Sequence, residues 1–366
     1  MTPGGTGLGP AGTRVSLAGL TTLGLGGPAE VLELADQHDL PLLADKLTRV
    51  GVRPVSLGSG SNVLIADAGV QAPVLLIRTR GIEVESVGPD RVRLVVQAGH
   101  SLPDLVQFAV TEQLIGIETL AGVPGTVGAM PIQNVGAYGQ ETADTLTHVT
   151  AWDWHRRRLV RLSRAECALG HRTSRFKGSN RWTILEVGFE LERSTLSAPI
   201  HYSEVASALG VELGRRLPVP EVVAAVLAIR AIKGMVLEPA DCDGRSVGSV
   251  FLSTPVSGRQ AEWLRGRGAS PHTYPDGTTR VGASWLLRDA GYRLGQRLAP
   301  GVRVSTKQYT LVAEHGATAS RFGAAAAAMQ RHVAEVTGVA LTFEPDLVGD
   351  DVTFADLLPH PRRPLR

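Results

Sequence analysis

The chain has 366 residues, 43% of them hydrophobic and 20% charged, and a formal net charge of +2. Those values describe a folded globular protein of two or three domains, and exclude a disordered chain or one that binds nucleic acid through net charge. Its two cysteines, Cys167 and Cys242, lie far apart, which excludes a disulfide framework and a cysteine metal site and fits a reducing, cytoplasmic compartment.

Residues 1–15, rich in Gly, Pro and Thr, read as a disordered leader, with neither a signal peptide nor a membrane span. A glycine turn and a strand over Val31–Leu34 follow. Asp39–Val50 reads as an amphipathic helix, with Asp39 as N-cap and Pro41 in the first turn. Val55–Leu57, Val63–Ile65 and Val74–Ile77 are short buried strands, completing a small β-α-β unit. Ile82–Ser86 and the run from Arg91 to Gln97 alternate like paired strands across a Gly-Pro-Asp turn. Ser101–Leu114 is a helix capped by Ser101, with Asp104 at the capping-box position. Strands are expected at Thr147–Trp152, Arg158–Leu162 and Trp182–Leu191, and a helix at Val219–Lys233. Mixed loops start at Gly234, Arg321–Thr337 is an alanine-rich helix ended by Gly338, and the last residues form a Pro/Arg tail.

Two glycine runs stand out. Ser56–Ile65 reads SLGSGSNVLI, in which Gly58, Ser59, Gly60, Ser61 and Asn62 supply consecutive N–H groups, two hydroxyls and an amide. Successive amides of this kind form a nest suited to phosphate oxygens. It is not a Walker loop, since no Gly-Lys-Ser/Thr follows, nor a Rossmann fingerprint, since no acidic residue sits in the right strand context downstream. Gly116–Glu141 reads GIETLAGVPGTVGAMPIQNVGAYGQE, with apolar residues threaded between glycines and no Lys or Arg. That pattern is a buried wall rather than a linker. One polar and one apolar loop suggest a large ligand with a diphosphate end and a flat aromatic end, as in a flavin dinucleotide.

Three residues could carry chemistry. Arg172, in HRTSRFK, is either part of a solvated turn or a rigid fork for a carboxylate or phosphate. Ser249, in Val247-Gly-Ser-Val-Phe, is either a strand hydroxyl bonded to backbone or an exposed acid at a bend. No Gly-x-Ser-x-Gly elbow surrounds it, which argues against a serine hydrolase. Glu344, between Phe343 and Pro345, is either an edge-strand surface charge or a partly desolvated functional acid, and its neighbours favour the second.

With these residues in view, the sequence from about Thr21 to Gly349 resembles the UDP-N-acetylenolpyruvoylglucosamine reductase family, the flavoenzymes of bacterial peptidoglycan synthesis. The resemblance is carried by GSGSN, AGVPGTVGAMPIQNVGAYGQE, RTSRFK, RAIKGM, the Gly-Ser of VGSVF, and FEPDLVG. It implies an α+β chain: a two-part FAD-linked fold of the PCMH/VAO kind plus a third, α/β substrate-binding domain. The implied division is residues 16–80, with about 341–357, as the first FAD-binding part, 81–233 as the second, 234–340 as the substrate domain, and 358–366 as the tail.

The same resemblance implies bound FAD, NADPH as co-substrate, a sugar-nucleotide substrate and a monomer, with no nucleic-acid or membrane partner and no metal. Gly58, Ser59, Gly60, Ser61 and Asn62 would hold the FAD diphosphate. Gly122, Thr126, Gly128, Gln133, Asn134, Gly136, Ala137 and Tyr138 would pack on the dinucleotide and isoalloxazine. Arg172, Ser249 and Glu344 would form the catalytic trio, Tyr202 would cover the substrate, and Lys233 would contact its diphosphate. Arg172 and Glu344 would stabilise an enolate formed by hydride addition, and Ser249 would protonate it.

Three departures from the family pattern are visible. His171 stands where Tyr is usual, GSVFLSTP replaces Gly-Ser-Phe-Phe-x-Asn-Pro, and TTLGLGG lacks a basic residue. They leave two alternatives open: a flavin paralogue acting on another sugar nucleotide, and a non-catalytic FAD-binding protein.

Overall fold

Alternation decides the largest sheet. In the Arg91–Gln97 strand, Val92, Leu94 and Val96 are buried while Arg91 is exposed, the two-residue period of a strand with one covered face. It pairs antiparallel with Ile82–Ser86 on one side and with the long Trp182–Arg193 strand on the other. Trp182–Arg193 pairs with Leu146–Asp153, and that strand with Arg158–Ser163 at the edge. The structure is a computed structural model that describes residues 14–238, 241–274, 276–350 and 354–357.

A second sheet has four strands. Pro28–Leu34, Val74–Ile77 and Val55–Leu57 are parallel, with the helix Leu40–Arg49 in the crossover, and Arg14–Ser16 lies antiparallel at the edge. Arg14 and Val15 are therefore strand residues, which moves the start of ordered chain ahead of the leader boundary read from composition. The rest of that leader, residues 1–13, and the tail, 358–366, lie outside the described residues. Asp39 occupies the N-cap position without a side-chain cap bond, whereas Asp36 accepts from His38 N at 2.9 Å and starts the preceding turn.

The helix expected over Ser101–Leu114 is shorter. Ser101 caps it, accepting from Asp104 N at 3.3 Å, but it ends at Thr111. Gln113 then takes φ 55, a left-handed residue that turns the chain, and Leu114–Ile115 becomes a strand on Trp182–Arg193. The Val219–Ile232 and Ala319–Thr337 helices form where expected, the second ended by Gly338 at φ 65.

Three apolar clusters hold these pieces together, and they cross the division expected from sequence. The largest joins Leu34, Leu40 and Leu75 to Leu94, Val149 and Val187, so the two N-terminal parts share one core. A smaller one fills the other side of the four-stranded sheet with Leu17, Leu57, Val74 and Val348. The last packs the Ala319–Thr337 helix against Leu286, Val304 and Leu311, and takes in Leu23, Leu64, Phe354 and Leu357. The C-terminal segment thus serves two units. Asp346–Val348 pairs in parallel with Val63–Ile65 of the first unit, while Phe354 and Leu357 lie in the third cluster.

Asp153 closes the tip of the large sheet. Fully buried, it accepts from His155 N and Arg156 N and from Arg181 through both oxygens, at 3.0 and 2.6 Å. The Arg181 pairing, against the opposing effect of burial, holds its carboxyl down at about 2, from an ordinary 3.8. A depressed folded value means that the contribution is complete above pH 3.8 and disappears as pH falls through about 2. Asp153→Asn should cost about 2 kcal/mol at neutral pH. In urea titrations the gap between variant and parent should narrow as pH drops from 4 towards 2, following the two values of the carboxyl.

Candidate active site

The polar glycine run becomes a bend between two buried strands, and its amides are free. The backbone N–H groups of Ser59, Gly60, Ser61 and Asn62 have no protein acceptor among the described residues, and the buried Ser59 hydroxyl has no partner either. Buried donors are seldom left in this state unless something else satisfies them. The bend is pressed against its surroundings: a Cβ at Gly60, where φ is 62, would lie 2.1 Å from Leu20 O.

The apolar glycine run packs directly onto this bend. A Cβ on Gly58 would lie 2.3 Å from Thr126 Oγ1, and one on Gly128 would lie 2.6 Å from Ala98 Cβ. Ser61 Oγ donates to Pro124 O at 3.4 Å, and Asn62 Nδ2 donates to Gln133 Oε1 at 2.7 Å. Leu120, Val127 and Met130 are fully buried, which makes the segment a wall, as its composition indicated.

Past the wall the backbone is strained in a concentrated way. Six non-glycine residues among those described have positive φ, and three of them are Asn134, Tyr138 and Arg172. Such conformations cost on the order of 1–3 kcal/mol each and persist where surroundings enforce them. Tyr138 and Gly139, at φ 49 and 93, form the tight turn between Gly136–Ala137 and Gln140–Glu141. That turn lifts the Tyr138 ring to Tyr202, edge-on at 5.4 Å, and to Lys233, whose Nζ is 5.6 Å from the ring centre. Lys233 also pairs with Glu204 at 2.5 Å. Asn134 is committed internally, accepting from Ala143 N and donating to Gly170 O. Only its main chain can face a ligand.

Arg172 and Glu344 come from distant segments and approach each other, and the segment bearing Ser249 pairs with that of Glu344. Arg172 donates to the carbonyls of Asn134 and Gly136, and its Nε is 4.0 Å from Glu344 Oε1. Glu344 N donates to Val250 O at 2.9 Å, and Phe343 faces Phe251 across the same bridge, so Glu344 is carried beside the Ser249 bend. Ser249 follows Gly248, at φ 72, is exposed, and makes no protein hydrogen bond among the described residues. Thr310 Oγ1 donates to Gly248 O and fixes the bend. Of the two readings open in the sequence, the exposed hydroxyl at a bend is the one found. Glu344 is largely desolvated, its side chain 13% exposed. Burial pushes its carboxyl up, while Arg172 and then Lys177 pull it back.

Two further residues stand at the site without having been given a role there from sequence. Lys177 donates to Gln133 Oε1 and to Glu344 O; only its place in RTSRFK pointed to it. His171 stands beside Tyr274, ring centres 6.2 Å apart, and its buried Nε2 has no hydrogen-bond partner among the described residues. Burial first, then Arg280 and Arg172, push its imidazole down to about 4, so it is neutral at neutral pH. A cavity of about 740 Å³ elsewhere, lined by Arg156, Arg158, Arg161, Arg175 and Arg181, holds none of the residues expected at the site. It runs along the sheet's edge strand, where arginines discourage pairing with another chain.

A family model described as FAD binding domain matches residues 28–163, and one described as UDP-N-acetylenolpyruvoylglucosamine reductase, C-terminal domain, matches 238–348. The UDP-N-acetylenolpyruvoylglucosamine reductase of Thermobifida fusca is 42% identical over 92% of this chain and 97% of its own. That of Salinispora arenicola is 40% identical over 91% and 94%. The chain belongs to the UDP-N-acetylenolpyruvoylglucosamine reductase family. The crystal structure of the Thermus caldophilus UDP-N-acetylenolpyruvylglucosamine reductase superposes with a TM-score of 0.60 at 25% identity, covering 92% of this chain and 98% of that one. The fold is accordingly the two-part FAD-linked class with a further domain, in mixed α+β form.

For a member of this reductase family the unpaired N–H groups of Ser59–Asn62 and the orphaned Ser59 hydroxyl fit a diphosphate. Gly58 and Gly128 fit a wall on which a flat ring system can lie. Gly60→Ala should lower FAD affinity by roughly tenfold or more, because Leu20 O and the left-handed backbone both oppose a side chain. The flavin-to-protein absorbance ratio after gel filtration measures it.

Proposed function

We propose that this chain is an NADPH-dependent, FAD-linked oxidoreductase that reduces UDP-N-acetylglucosamine enolpyruvate to UDP-N-acetylmuramate in peptidoglycan synthesis. What supports the reading is the approach of the Arg172 guanidinium to the desolvated Glu344 carboxyl at the end of the glycine wall, with the segment bearing Ser249 paired to that of Glu344, in a chain of this family. FAD, when bound, supplies the hydride that adds to the terminal methylene carbon of the enolpyruvyl ether.

The protein's part is electrostatic and protic. Hydride addition leaves negative charge on the carbon bearing the ether oxygen, delocalised into the neighbouring carboxylate. Arg172 is the cation for that charge. Its acceptors, the Asn134 and Gly136 carbonyls, are dipoles rather than anions, so its full charge remains available. Glu344 acts as the neutral acid, donating a hydrogen bond to the same carboxylate. Losing one such preorganised group costs about 3–4 kcal/mol. Ser249 delivers the proton that completes the lactyl ether. A serine hydroxyl is a weak acid, but an enolate carbon is basic enough to take its proton when the two are aligned.

Tyr202 and Lys233, gathered by Tyr138, stand as the cover and the diphosphate contact. Lys233 exchanges Glu204 for the phosphate oxygens. Residues 234–340 form the unit that closes over the sugar nucleotide. No helix among the described residues is long and apolar enough to cross a membrane. Cytoplasmic location agrees with the two free thiols.

A second reading is a divergent reductase acting on another sugar nucleotide. It is favoured by His171, which stands where Tyr is usual and whose buried Nε2 has no partner among the described residues. Comparing the enolpyruvyl sugar nucleotide with its analogues as oxidants of the reduced enzyme separates the two.

Ser249→Ala should still be bleached by NADPH but should be reoxidised by the enolpyruvyl sugar nucleotide roughly a thousandfold more slowly. Stopped-flow absorbance resolves the two half-reactions, and normal turnover in the variant would remove the role given to Ser249.

A further inference from the structure

A buried ammonium lies under the acid. The Lys177 side chain is only 6% exposed, and its direction is set by its neighbour, Phe176, which is buried and packs edge-on to Trp182 at 6.0 Å. Burying a cation is costly unless its donors are all matched. Here Glu344 O at 2.9 Å and Gln133 Oε1 at 3.0 Å accept hydrogen bonds from the ammonium, and Asp346 Oδ2 at 3.2 Å faces it as an ion-pair partner. They belong to the glycine wall and to the C-terminal segment. An ion pair with Asp346 alone would not need the other two.

The arrangement also sets the orientation of Gln133. Its Oε1 receives both Asn62 Nδ2, at 2.7 Å, and Lys177 Nζ. With two donors on the oxygen, the amide nitrogen is the end that faces Glu344, and Nε2 lies 3.4 Å from Oε1 of that residue. Glu344 Oε1 therefore has Gln133 and Arg172 beside it, and Oε2, with no protein partner among the described residues, is left to carry the proton.

We propose that Lys177 is the positioning residue for Glu344, fixing its main chain directly and its carboxyl through Gln133. The proposal rests on the role of Glu344 as the neutral acid. The charged groups around that carboxyl are Arg172 at 4.0 Å, Lys177, and Asp346 on the far side of Lys177. Both cations favour the ionised form of Glu344 and oppose its desolvation. Removing Lys177 takes away one of them and loosens the amide that faces Oε1.

The test is reoxidation of the NADPH-reduced holoenzyme by the enolpyruvyl sugar nucleotide, followed by stopped-flow across the pH range, with flavin content measured for every variant. Activity that depends on a protonated Glu344 falls on the alkaline side. Lys177→Met should slow reoxidation roughly tenfold and move that alkaline limb up by about one unit. Lys177→Arg, which keeps the charge, should return the limb to its original place. Glu344→Gln should abolish the limb, and on that background Lys177→Met should cost much less than on the parent, since the two act as one unit. If Lys177→Met does not fold, Lys177→Gln is read in the same way. A Lys177 variant that loses flavin or rate without moving the limb, or equally with and without Glu344, would overturn the proposal. Persistence of the limb in Glu344→Gln would instead overturn the reading of Glu344 itself, whatever Lys177 does.

Discussion

The site depends on a row of backbone N–H groups that the protein does not satisfy. The backbone N–H groups of Ser59 to Asn62 meet no protein acceptor among the described residues, and the close packing at Gly58 and Gly60 leaves no room there for a side chain. A buried donor without a partner costs roughly 1–3 kcal/mol, and the Ser59 hydroxyl is one such group at this bend. Contact between Gly58 and Thr126 then makes the second loop the opposite face of the same groove. Neither loop could move by a side chain's width without opening it.

From that groove the placement of Glu344 and of the Ser249 bend follows by chain routing. The Val63–Ile65 strand leaves the nest and accepts Asp346–Val348 as its parallel neighbour. This returns the far end of the chain to the start of the cofactor groove, and Glu344 stands two residues before the pairing begins. The bridge between Phe251 and Phe343 brings the Ser249 bend to the same place. Two short backbone pairings thus join residues far apart in sequence, one of them linking the N-terminal part to the C-terminal segment. Such contacts carry a large loop-closure entropy, which the apolar cluster around Leu64, Phe251, Phe343 and Leu347 offsets.

Much of this was legible because it is written in local periodicity. Val92, Leu94 and Val96 alternate, and Ser101 caps its helix through Asp104 N. The glycine runs were legible too, since glycine at that density has few structural uses. Boundaries were less so: nothing in TEQLIG announces that Gln113 will turn left-handed and give Leu114 to a sheet. Interactions depending on three separate segments were not visible. Lys177 reads as one more cation in HRTSRFK until the wall and the C-terminal segment close on it. Asn134 reads as a ligand amide, yet both ends of its side chain are spent on Ala143 and Gly170. Its left-handed backbone is what it contributes, presenting its carbonyl to Arg172.

The relation between Arg172 and Glu344 shows why proximity in this site is not simple pairing. A carboxylate drawn into a close ion pair with a guanidinium would be firmly ionised and useless as a donor. Here the guanidinium is bonded to two carbonyls and held 4.0 Å from Oε1, beyond hydrogen-bonding distance. Burial can then keep the upper hand on Glu344, and its carboxyl is displaced upward despite two neighbouring cations. Arg172 remains a cation that no anion among the described residues hydrogen-bonds, and the Glu344 carboxyl is pushed upward by burial. A substrate carboxylate arriving between them would find one full positive charge and one neutral donor. It gains from both, and more as hydride addition puts charge onto its oxygens, because the groups are already in place and need no reorganisation.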